Sequence, residues 1–387
     1  MGMAPVGRQC QARLRSLTLF ALGACFSFGL ALWAQTPDSQ TNDPNKSWTN
    51  TTESQSDNLN PTRIVESHTH SGNRTLDNQS VQRRGSDGQF EPYQDIEKEA
   101  VKLDANTVRT TTRTYGRDSD GAKTLLQVTE EEKHNLPGGG SSMVRSTSNP
   151  DANGDLQVVQ RQIEETKKIS KDIEETKTTV MLPSINGGLA PAMQVEERRE
   201  QGASGTVRSQ KTTLLPDGAG HWQVGEVQHS ITKQDGKNRS TEEQISRPDS
   251  EGNMGEVSRT VSKESESASG EKRAAVETYS VDAPGSARDG SLHLVDRTTT
   301  VQHSSRMGQQ TTEKQVEQPN PGDPNSGLQL TTRTIDIVRP GPSGAQATRT
   351  IQTLGPNGSL GIVSVDTSKS DNIQPLQVQI APSEKPK

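Results

Sequence analysis

Asp151-Ala152-Asn153-Gly154-Asp155 has oxygen ligands at the spacing that opens a calcium loop. An EF-hand then needs glycine at the sixth position and a bidentate acid at the twelfth. Leu156 and Gln162 stand there instead. The same offsets recur elsewhere as plain Asp/Asn-Gly pairs, so the segment is read as a hairpin turn. His68-Thr69-His70 would put two imidazoles on one side of a strand, but a catalytic zinc takes three protein ligands and no third has a clear spacing. His134, His221, His229, His293 and His303 are scattered over different stretches. Gly138-Gly139-Gly140-Ser141 lacks the Lys-Ser/Thr ending of a phosphate loop. No Gly-x-Ser-x-Gly presents a nucleophile. Acid pairs such as Glu130 and Glu132 are too abundant to mark an acid/base couple. No catalytic, cofactor-binding or metal-binding residue is therefore assigned, no cofactor is expected, and an enzyme is not expected. Trp222 is the one candidate binding anchor, because exposed Trp often serves as a recognition hot spot; the competing reading is a local packing anchor beside a turn.

The elements that would hold such residues follow a repeat. Asp87-Gly88, Asp120-Gly121, Asn153-Gly154 and Asn186-Gly187 are spaced 33 residues apart, and Gly220 is the next step. The series continues more loosely through Gly255, Gly290, Gly327 and Asn357-Gly358. An apolar residue often stands two places after the glycine, as at Phe90, Leu156, Trp222, Val257, Leu292 and Leu360. Repeats of this length mark stacked supersecondary units. Asn-Gly and Asp-Gly supply the positive φ angles of a tight hairpin turn. A second turn cluster falls about halfway, at Gly138 to Gly140, Gly202 to Gly205, Asp235-Gly236, Ser269-Gly270, Met307-Gly308 and Ser343-Gly344. Each unit is thus one β-hairpin, with Thr-, Val- and Ile-rich runs such as Thr331 to Val338. The segment Ile163 to Lys177 is ambiguous, since Glu164 and Lys168 make a good helical pair. The repeat phase favours two strands with a turn near Ser170-Lys171-Asp172.

The fold expected is all-β: an elongated antiparallel β-meander of ~33-residue hairpin repeats, largely single-layer. The repeat domain is placed at 87–367, between a disordered Asn/Ser/Thr-rich linker at 35–86 and a disordered tail at 368–387. Strands such as Val128 to Lys133 carry charge on both faces, which argues against a sandwich. Aromatic residues are only 3% of the chain, too few for the girdles of a transmembrane barrel.

Composition agrees. Of 387 residues 27% are hydrophobic, which is too few for an enzyme-sized core throughout. Residues 1–34 carry Arg8, Arg13 and Arg15 and no acid, followed by a charge-free run from Leu17 to Ala34. That is the plan of a signal peptide, with cleavage expected before Gln35. An uncleaved N-terminal membrane anchor and lipidation at Cys25, within Leu22-Gly23-Ala24-Cys25, are the alternatives. All three readings export the body to the periplasm, cell surface or extracellular space. Cys10 and Cys25 are the only cysteines, so the body has no disulfide. Taking those three arginines from 43 basic residues against 49 acidic ones leaves a charge of -9, with no basic field for nucleic acid. Sequons at Asn45, Asn50, Asn73, Asn78, Asn238 and Asn357 matter only in a glycosylating host. The function expected is a structural, adhesive or surface-presentation element that meets unknown surface or envelope components; the alternative is a secreted binding module with one site near Trp222.

Overall fold

The computed structural model describes residues 47–54, 62–85, 87–118, 120–281, 290–305, 307–320, 322–341, 344–355 and 357–370. Twenty strands follow one another. The first seven are β1 (Trp48–Ser54), β2 (Thr62–Ser71), β3 (Arg74–Arg84), β4 (Phe90–Lys102), β5 (Thr107–Arg117), β6 (Lys123–Asn135) and β7 (Ser141–Pro150). Then come β8 (Leu156–Lys168), β9 (Ile173–Pro183), β10 (Leu189–Gln201), β11 (Val207–Pro216), β12 (Trp222–Asp235), β13 (Asn238–Pro248) and β14 (Met254–Glu266). The last six are β15 (Lys272–Ser280), β16 (His293–Ser304), β17 (Gln310–Asn320), β18 (Asp323–Gly341), β19 (Gly344–Leu354) and β20 (Leu360–Ser370). Every strand pairs antiparallel with its neighbours in sequence, giving one all-β meander. The ambiguous stretch is strand on both sides of a turn at Ser170 to Asp172, as the repeat phase required.

One boundary needs correction. The linker expected at 35–86 fails over 48–54 and 62–84, where β1 pairs with β2 and β2 and β3 form a full hairpin. Low apolar content suggested disorder, but this sheet does not rely on apolar burial. Cross-strand polar pairs take its place: His68 Nδ1 lies 2.5 Å from Asp77 Oδ1, and Gln79 donates to Glu66 at 3.0 Å. At the other end β20 runs to Ser370, past the expected start of the tail. Residues 1–46, with the expected leader and the first part of the expected linker, and residues 371–387 lie outside the described residues.

The two faces of the sheet differ. Register and pleat alternation place Thr112, Thr129, Thr147, Thr178, Thr213, Thr260 and Thr298 on one face. Paired threonines bond across it, at Thr166–Thr176 (3.1 Å) and Thr232–Thr241 (3.0 Å). Such pairs contribute roughly 0.2–1 kcal/mol each. Most of the buried residues also lie here, among them Met143, Val180, Thr300, Thr312, Asp336 and Val338. The opposite face carries Arg and Glu. Arg297 bridges Glu277 (2.9 Å) on β15 and Glu317 (3.6 Å) on β17, and Arg198 meets Glu175 at 2.7 Å. Glu130, Glu165, Glu196, Arg208, His229 and Glu242 stand exposed on it.

This asymmetry has a geometric cause. Twenty strands laid flat at ~4.8 Å would hold β1 and β20 about 90 Å apart. Instead the two end strands come within 8 Å of each other between Cα atoms. The sheet curls, and the threonine face is the crowded inner side. No hydrogen-bonded ladder joins β1 to β20 among the described residues, so the sheet remains open there.

Candidate interaction surface

The 33-residue period is the period of one turn. At Asp151 the backbone N–H donates to the carbonyl of Asp155 (2.9 Å), and Gly154 N–H donates to the carbonyl of Asp151 (3.0 Å). Asp151 Oδ1 accepts from the N–H groups of Asn153 (2.8 Å) and Asp155 (3.0 Å). The same frame with the same carboxylate recurs at Asp118 and Asp249. Asp217 repeats the side-chain bonds, and Ser184 substitutes its hydroxyl. These N–H donors hold the carboxyls of Asp151, Asp217 and Asp249 below the ordinary range. All these turns lie along one edge of the sheet, the repeat rim.

The backbone angles identify the kind of hairpin turn. Gly88, Gly121, Gly154, Gly187, Gly220, Gly290 and Gly358 have φ between 74° and 94°. Asp87, Asp120, Asn153, Asn186 and Asn357 do not share that conformation; Ser204 is the only non-glycine residue at positive φ among those described. A left-handed glycine closing a wider loop is the three-residue hairpin with a bulge, not the two-residue type. A Cβ on Gly154 would meet nothing within 4 Å, so glycine serves backbone conformation rather than space. Gly327 (φ 86°) sits off the hairpin tip, inside the irregular start of β18, where pairing jumps from Asn320–Asp323 to Pro319–Leu328. The residue that sequence reading missed is the capping Asp or Ser three places before the glycine. Its signal was present at Asp118, Asp151, Ser184, Asp217 and Asp249.

Below the turns comes a second recurrent feature. Nine hairpins carry a β-bulge at the same level, for example between Thr114 and Tyr115, Thr147 and Ser148, Thr213 and Leu214, and Ile351 and Gln352. Between bulge and turn, the charged face becomes apolar in most hairpins, although Arg117–Lys123 and Ser246–Glu256 keep it polar there. The last cross-strand pairs there are Pro150–Leu156, Pro183–Leu189, Pro216–Trp222, Pro248–Met254 and Leu354–Leu360. One step inward lie Tyr115–Leu125, Met181–Pro191, Leu214–Val224 and Tyr279–Leu294. The result is an apolar strip two rungs deep, about 10 Å tall at ~3.4 Å per residue. Trp222 belongs to it: it is 37% exposed, beside Val224 (40%) and near Met254 (44%). On the first rung below the strip stand Arg113, Arg161, Arg259, Arg297 and Arg333.

The histidines do not converge. His134 meets Thr107 (2.8 Å), His221 meets Asp217 (3.2 Å) and His303 meets Glu271 (3.1 Å). His68 and His70 share the threonine face but bond to Asp77 and Thr75. Among the described residues, no three of His, Cys, Asp and Glu are placed to hold a metal ion. No family model and no curated protein matches the chain.

Proposed function

We propose that this chain is an exported, non-enzymatic presentation element: a repeat sheet that offers one surface many times over. The observation behind the reading is the polarity of the sheet. The repeat rim displays the same turn and apolar strip hairpin after hairpin. The chain enters at Trp48, opposite His68, and leaves at Ser370, opposite Ala345, both on the other rim. Anchorage through the N-terminal segment, whether as signal-derived anchor or lipid on Cys25, would leave the repeat rim facing outward. Repetition gives avidity: weak contacts at several hairpins multiply without any single deep pocket. The test is fractionation of the native host with N-terminal sequencing of the recovered protein. Recovery outside the cytoplasm is expected, either anchored through a retained N-terminal segment or a lipid on Cys25, or released and starting at Gln35. An intact protein in the cytoplasm would refute the reading.

A second reading is a binding module with one site at Trp222. It is favoured by the exposed cluster of Trp222, Val224 and Met254. Trp222→Ala separates the two, because a single site loses its ligand whereas a dispersed rim retains most of its binding.

A further inference from the structure

The apolar strip is an exposed surface without a cover. Leu156, Trp222, Val224, Met254 and Ile362 are 37–64% exposed. Summed over β8, β12, β14 and β20, and with the exposed prolines on their partner strands, the bare apolar area is on the order of 500 Å², comparable with the largest apolar patch of a typical monomer but spread over several hairpins. The strip is bordered unequally. Above it are the acidic turns, with Asp118, Asp120, Asp151, Asp155, Asp249 and Glu251. Below it is the rung of arginines, of which Arg113, Arg259, Arg297 and Arg333 are 36–41% exposed. Arg113 and Arg333 already have one Glu neighbour each, and Arg259 and Arg297 have two, but guanidinium carries five donors and has room for a further carboxylate.

From this pattern we infer that the strip binds a second copy of this chain, side by side and antiparallel. The inference rests on the presentation reading and names its partner. A two-fold axis through the strip lays apolar on apolar. It also places the acidic turns of each copy against the arginine rung of the other, so the surface is complementary to itself. Lipid fits less well. The strip is well short of the ~25 Å apolar band that spans a membrane. A shallower insertion, turns first, would drive the charged aspartates deepest into the bilayer. A convex face offers only a few hairpins to each neighbour. Each contact then falls below the ~800 Å² per partner of a stable interface and belongs to the weak, transient class. Several contacts around one curled sheet would build assemblies rather than a closed dimer.

Sedimentation velocity on the full chain over a micromolar to millimolar series tests this, with circular dichroism confirming the fold of every variant. The wild type is expected to associate with rising concentration and to dissociate with added salt. Combined Leu156→Gln, Trp222→Gln, Met254→Gln and Ile362→Gln should weaken association at least about tenfold. Leu103→Gln with Ile169→Gln, equally exposed at the other rim, should not. Arg259→Glu should weaken association, and mixing with a Glu251→Arg chain should restore it, which general unfolding could not do. A wild type that stays monomeric throughout, or a strip variant that associates unchanged, overturns the inference. So does co-flotation with phosphatidylcholine or phosphatidylglycerol vesicles that the strip variant loses. A monomer found outside the cytoplasm would sink this inference alone and leave the presentation reading standing.

Discussion

Gly154→Val isolates what the repeated turn contributes. Gly154 has φ of 86°, and a Cβ there meets nothing within 4 Å. The substitution therefore brings no clash, only the conformational penalty. For an L-residue in the left-handed region that is roughly 1–2 kcal/mol, and a β-branched side chain sits at the upper end. Gly154→Asn should cost less, since Asn tolerates the conformation. The loss should appear locally, because β7 and β8 pair only with sequence neighbours. Amides bonded across the turn, such as Asp151 and Gly154, should exchange about 5–30-fold faster, the equivalent of that free energy. Hydrogen exchange read by mass spectrometry resolves this, with the turns at Asp118 and Asp249 as internal references. Unchanged exchange at Asp151 would show that the glycine is not conformationally required. Equal acceleration in every hairpin would refute nearest-neighbour stability.

Three further outcomes follow from named groups. The carboxyls of Asp151, Asp217 and Asp249 titrate below their unfolded value, so their stabilisation is full above the unfolded value of 3.8 and is lost as pH falls through the folded value. Acid unfolding followed by circular dichroism should begin at higher pH when all three are replaced by Ala. Glu264 behaves oppositely: burial raises its carboxyl, Arg239 offsets this in part, and its Oε1 has no partner. A raised acid means that stability falls as pH climbs from the unfolded to the folded value, so Glu264→Gln should raise the melting temperature at pH 7 and leave it unchanged at pH 3. Asp336, 7% exposed, is held by a bidentate Arg349 at 2.8 and 2.9 Å. Arg349→Met strands that carboxylate and should cost about 3 kcal/mol by urea denaturation, whereas adding Asp336→Asn should recover much of the loss.

The sequence was most legible where the backbone dictates residue type. A left-handed turn position admits almost only glycine, so Gly88 to Gly220 stood out at their 33-residue spacing, and the strands between them followed. Strands β2 and β3 were illegible because the usual sign, alternating apolar residues, is replaced by pairs such as His68–Asp77 and Gln79–Glu66. Such pairing can be recognised only once register is known. The apolar strip was hidden for a related reason. Each bulge inserts one residue, as Gly225 does opposite Thr213 and Leu214, and breaks the period of two along the strand. Pro216 and Trp222 are six apart in sequence and gain meaning only as a cross-strand pair. The curl was beyond reach, because it arises from contact between β1 and β20 at opposite ends of the chain.

The central claim is that this sheet has one shielded, threonine-rich face and one exposed, charged face. Single-cysteine labelling along β6 and β12 tests it most directly, in a full chain with Cys10→Ser and Cys25→Ser. Cysteine placed at Glu130, Glu132, His229 or Ile231 should react quickly with a bulky maleimide. Cysteine at Thr129, Glu131, Gln228 or Ser230 should react slowly, giving an alternation of period two in both strands. Uniformly fast labelling at all eight positions would contradict the account, because both faces would then be equally open to solvent.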